Sequence, residues 1–183
     1  RSRSYVELLQ VSRELYSAVL TRNNLLDTAK QLYDRLAFVE TNRLLGDNVS
    51  TGVQVRLAEA LEWVSLKRGD RIDGADNRHV WIVVRGEFAV CEGDRRVDRA
   101  GPGEVVGEEA VHGKPRRRFS ATARKATRAA RLPAGAVQDV PVVRWRLFEL
   151  YQRRQILAYG DAARPPVQRD RSKSSKKPAK TAK

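Results

Sequence analysis

Between residues 5 and 20 apolar side chains recur every three to four positions. Tyr5, Leu8, Leu9, Leu15, Tyr16, Val19 and Leu20 form one stripe, which predicts an amphipathic helix. Asn23 and Asn24 punctuate the pattern. The same period returns from Leu25 to Glu40, with Leu25, Ala29, Leu32, Tyr33, Leu36 and Ala37 on one face. Gly46-Asp47-Asn48 signals a turn, and Ser50 or Thr51 can cap a third helix reaching Leu61. Such stripes fit plain helix packing, and they also fit a dimer or docking surface.

From Trp63 the period changes. The segments WVSLK, RHVWIVVRG and EFAVCEG are rich in β-branched and aromatic residues. Glycines 69, 74, 86, 93, 101 and 103 interrupt them, so they read as short strands of a barrel or jelly roll. Residues 119–132 are alanine-rich but still predict strands. Past Pro133 and Pro141 a helical pattern covers 142–159, with Trp145, Phe148, Tyr151 and Gln152 near one face. From Gly160 the chain is rich in Pro, Ser, Lys and Arg without apolar periodicity, which predicts a disordered tail. The pattern as a whole predicts an α+β fold: a helical arm over 1–61, a β-roll with a closing helix over 62–160, and a tail over 161–183.

Charge sharpens this division. The chain has 183 residues, is 41% hydrophobic and carries a net +14. Residues 164–183 hold eight Lys/Arg against one Asp, and Lys114–Arg131 holds eight basic residues and no acid. Such an excess favours anionic partners, whether nucleic acid, an anionic surface or a phosphate ligand, and it also serves solubility alone. A single cysteine, Cys91, excludes an intramolecular disulfide. No apolar run approaches the ~20 residues that span a bilayer, and no signal peptide is visible, so a cytoplasmic location is expected. A first residue other than Met leaves open both a processed chain and a piece of a longer protein.

Four local matches then carry a resemblance. Gly69-Asp70-Arg71-Ile72 looks like a turn into a strand of the form G-x-x-I. Trp81 to Val90 looks like a hairpin of the form Y-I-I-x-x-G-x-x-x-V. GPGEVVGEEA, residues 101–110, is similar to GPGDFFGELA. Pro115-Arg116 and Ser120-Ala121-Thr122 resemble P-R and S-A-T-V. In this order and spacing they resemble the cyclic nucleotide-binding domain of the protein kinase A regulatory subunit, the catabolite activator protein and cyclic nucleotide-gated channels. The match runs from about Asp34 to Leu157, roughly two-thirds of the chain. The resemblance implies helices, a β-roll, a closing helix, and a phosphate-binding cassette for cAMP or cGMP. It implies backbone and ribose roles for Gly107 and Glu108, with Ala110 on the short helical turn after them. The candidate anion-binding residues are Arg116, Arg117, Arg118 and Ser120.

The chain departs from the family in the cassette. Counting back from Ser120-Ala121-Thr122, the family's phosphate-binding arginine falls on Phe119, with Arg118 one position earlier. An extra loop residue would let Arg118 reach the place; otherwise the site is degenerate. Glu109 stands where the family has an apolar residue, and the turn at 73–76 is short. Trp145, Phe148 and Tyr151 are candidates for stacking on a purine, or for packing the last helix onto the roll.

Enzymatic chemistry finds little support. His79, at a strand start, and His112, in a loop, are far apart, and neither shares metal-ligand spacing with Cys91 or paired acids. No nucleophile motif or P-loop is present. No winged helix-turn-helix follows the last helix, which argues against sequence-specific DNA reading. Nonspecific, salt-dependent contact through the tail stays open. The expected function is a regulatory module that senses cAMP or cGMP and transmits binding through its flanking helices, as part of a larger protein or assembly, with a protein partner or parent chain contacted through the N-terminal helices. The alternative is a nucleotide-free scaffold whose basic tail contacts nucleic acid or an anionic surface. No cofactor is expected.

Overall fold

The computed structural model of the protein describes residues 10–72, 78–112 and 118–160. Residues 1–9, the short turn at 73–76, Arg116, Arg117 and the basic tail lie outside the described residues.

Strand β3, His79–Arg85, organises the fold. Its side chains alternate between two cores: Val80 and Ile82 enter one, Trp81 and Val83 the other. A strand apolar on both faces must be covered on both, which is why VWIVV reads as a continuous run. β3 lies in an antiparallel sheet with β1 (Glu62–Leu66), β6 (Val105–Val106) and β8 (Thr127–Pro133), in the order β1-β8-β3-β6. A second sheet, β2-β7-β4-β5, joins Arg71–Ile72, Ser120–Ala123, Phe88–Glu92 and Arg95–Ala100. One core lies between the sheets and holds Phe88, Val90, Val106, Phe119 and Ala129. The other lies between the first sheet and the helices. Neighbouring Ala129 and Ala130 on β8 enter opposite cores, so the alanine-rich run is a strand with small side chains on both faces.

The tight return from β3 to β4 needs Gly86. Its φ is +107°, and a Cβ there would meet Thr127 Oγ1 at 2.4 Å and Thr127 Cα at 2.6 Å.

Helix α1 spans Arg13–Arg22 and is capped by Ser12, whose Oγ accepts from the Leu15 N–H at 3.2 Å. It begins later than the apolar period suggests and buries no residue: Leu15, Tyr16 and Val19 are exposed. Helix α2, Leu26–Thr41, packs through Leu32, Leu36 and Val39. Tyr33 is 73% exposed, so the buried stripe is rotated towards Val39 from the face read in the sequence. Periodicity sets the width of an apolar stripe, whereas the partner surface sets its centre. Helix α3, Thr51–Ala60, buries Leu57 and Ala58 beside Leu45 and Leu61. A short helix α4, Ala134–Gln138, absent from the sequence reading, precedes α5, Pro141–Tyr159. α5 closes the roll with Val143, Leu147, Tyr151, Arg154 and Ala158 buried.

Candidate ligand site

The stretch GPGEVVGEEAVH turns sharply twice. Gly103 and Gly107 have φ of +82° and +83°, a region costly for other residues. After Gly107 the chain forms one 3-10 helix, Glu108–His112, which buries both carboxylates. His112 therefore ends a helix and is not in a loop. Its ring lies 5.4 Å from those of Phe148 and Tyr151 on α5.

Glu108 and Glu109 are each 1% exposed, but they take different partners. Glu108 Oε2 accepts from Arg154 Nη1 at 2.6 Å. The same guanidinium donates to Asp98 Oδ2 at 3.1 Å and to the Val105 carbonyl at 2.8 Å. Burial pulls the Arg154 pKa down, but Glu108 and Asp98 outweigh it and hold the group above its ordinary value. A permanently charged arginine thus joins α5 to the cassette and to β5. The other Glu108 oxygen, Oε1, is buried without a hydrogen-bond partner among the described residues.

Glu109 reaches the far end of the loop. Its Oε2 accepts from the backbone N–H groups of Arg118 at 2.7 Å and Phe119 at 3.0 Å. This explains how a charged residue sits in an apolar position: two convergent backbone donors satisfy it. Phe119 is buried in the inter-sheet core, its ring 6.4 Å from Tyr151. The Arg118 side chain runs along the outer edge instead, with Nε 2.9 Å from Glu92 and the guanidinium 4.0 Å above the Tyr159 ring. Arg95 donates to the Ala158 carbonyl nearby, so two arginines hold the end of α5. Ser120 is buried on β7, opposite Cys91. Ala110 is half-buried, its N–H donating to the Gly107 carbonyl at 3.0 Å.

The structure therefore brings together Gly107, Glu108, Ala110 and the buried end of α5. The Arg118 guanidinium and Ser120 lie on the β4–β7 edge. Tyr151 packs into the roll, whereas Trp145 is 61% exposed and donates to Glu149. Arg154 was missed in the sequence, where Arg153-Arg154 reads as a solvated pair. Its signal is positional: it continues the buried stripe of residues 143, 147, 151 and 158.

This geometry can be set against known proteins. A model of the cyclic nucleotide-binding domain matches residues 63–141. These residues form a domain of that family. Solved structures resembling the chain include the regulatory subunit of a cAMP-independent protein kinase A from Trypanosoma brucei (TM-score 0.56, 18% identity, covering 68% of this chain and 46% of that one). The corresponding subunit from Trypanosoma cruzi, bound to guanosine, has a TM-score of 0.58 and 20% identity over 73% of this chain and 52% of that one. The regulatory domain of Toxoplasma gondii protein kinase A with cAMP has a TM-score of 0.63 and 17% identity over 78% and 56%. At these identities the likeness establishes the fold alone. The chain spans about half the length of these structures. No curated protein sequence matches it. Among the described residues no helix is long and apolar enough to cross a membrane, and no cluster of three or more His, Cys, Asp or Glu could hold a metal.

Proposed function

We propose that the chain is a regulatory binding module in which Glu108 reads the ribose of a nucleotide or nucleoside and α5 relays its occupancy. cAMP and cGMP are the first ligands to consider, because the domain family and the Toxoplasma gondii structure carry that chemistry. Guanosine, bound by the Trypanosoma cruzi subunit, shares the ribonucleoside part.

The observation that carries the reading is the divided Glu108 carboxylate. One oxygen is held by Arg154 of α5, and the other is buried and unpartnered. A ribose hydroxyl donating to the second oxygen would satisfy a costly buried acceptor. It would also draw on the charge that holds α5. Occupancy and helix position are then linked, provided the ligand differs in affinity for two arrangements of α5.

The test is calorimetric titration of the full chain with cAMP, cGMP, adenosine and guanosine, beside Glu108→Gln, while following Trp145 emission. Saturable binding that Glu108→Gln weakens about tenfold or more, with a change in emission absent in Trp145→Phe, is expected. No heat and no thermal stabilisation with any of the four, at millimolar concentration, would sink the reading. The roll would then be a scaffold.

A further inference from the structure

We propose that Glu109 is a resident anion of the cassette, and that the site therefore selects an uncharged ribonucleoside over a cyclic phosphate. The inference rests on the reading that Glu108 holds the ribose, and it names the ligand class of that site.

Two successive backbone N–H groups aimed at one point make an anion-binding concavity. Here the N–H groups of Arg118 and Phe119 converge on Glu109 Oε2 at 2.7 and 3.0 Å. The anion they would offer to a ligand is already supplied by the chain. Glu109 is fully buried and precedes its donors by only nine and ten residues, so the contact closes the cassette loop on itself.

The wall beside it is apolar. Phe119 is 6% exposed, is packed among the inter-sheet residues and faces Tyr151. The Arg118 guanidinium is drawn off to Glu92 and Tyr159. A cyclic phosphate bound here would bring a negative charge beside two buried carboxylates and would find the two backbone donors occupied. An uncharged nucleoside needs neither donor. It requires only a hydroxyl acceptor, supplied by Glu108 Oε1, and an apolar face for the base.

Glutamine at position 109 separates charge from shape. Its amide oxygen still accepts from both backbone N–H groups, so Glu109→Gln retains the loop. Full-chain protein is titrated with adenosine and cAMP, and with guanosine and cGMP. The native chain is expected to prefer each nucleoside over its cyclic phosphate by about tenfold or more, the scale of one extra like charge a few Å away at an intermediate dielectric. Glu109→Gln should shrink that ratio severalfold through tighter cyclic nucleotide binding. Glu109→Gln with Phe119→Arg should invert it. Thermal unfolding checks that each variant is folded, and Glu109→Gln alone decides the matter if the double variant is not.

A native chain that binds cAMP or cGMP as tightly as the nucleosides overturns the inference. So does a nucleoside preference that Glu109→Gln leaves unchanged. In both cases dependence on Glu108 would remain, leaving the proposed function standing. Absence of binding to all four ligands removes both at once.

Discussion

The two glutamates of one helical turn are adjacent in sequence and equally buried, yet they do opposite work. Glu108 faces α5 and is neutralised by a side chain 46 residues away. Glu109 faces the loop that follows and is satisfied by neutral backbone donors. The first contact crosses the molecule and couples the cassette to the closing helix. The second is local and shapes the cassette itself. Burying a carboxylate thus has two solutions, a paired charge or preorganised dipoles, and the choice decides whether the site communicates.

Removing Arg154 should show the larger effect. Arg154→Ala leaves Glu108 buried without its cation, and a loss of about 3–5 kcal/mol in denaturant unfolding is expected. Arg154→Leu combined with Glu108→Gln should recover much of it, because no unpaired charge remains. If the double variant is as unstable as the single one, packing rather than charge holds α5, and the contrast fails. A smaller effect is expected on the local side. Glu109→Ala strands two backbone N–H groups and should cost about 2 kcal/mol in the same measurement. A loss matching that of Arg154→Ala would mean that Glu109 is as global a tie as Glu108. The smallest effect belongs to the edge. Arg118 is half exposed, so Arg118→Ala should lower stability by less than about 1 kcal/mol by thermal unfolding, its bridge to Glu92 being screened by water and salt. A greater loss would place Arg118 among the ties that hold α5.

Much of the roll was legible before any coordinates. The strands at 79–85 and 88–92 announce themselves by β-branched runs between glycines. Gly86 is legible too, since the turn beside Thr127 has room only for a hydrogen. Strand Arg95–Ala100 was not, because RRVDRA carries four charges in six residues and lies at a sheet edge that tolerates them. The short strands at 71–72 and 105–106 are held by pairing rather than by pattern.

The site divides in the same way. By itself the sequence determined the order of helices and strands, the glycine-framed turn, the two carboxylates and the replacement of an expected arginine by Phe119, all of which depend on local conformation and spacing. Only the tertiary structure decided that Glu108 meets Arg154, that Glu109 turns to the loop backbone and that Arg118 leaves for the edge. Those outcomes depend on which surfaces meet when α5 packs against the roll. In water a carboxylate has many equivalent partners, and it acquires a particular one only when burial removes the rest.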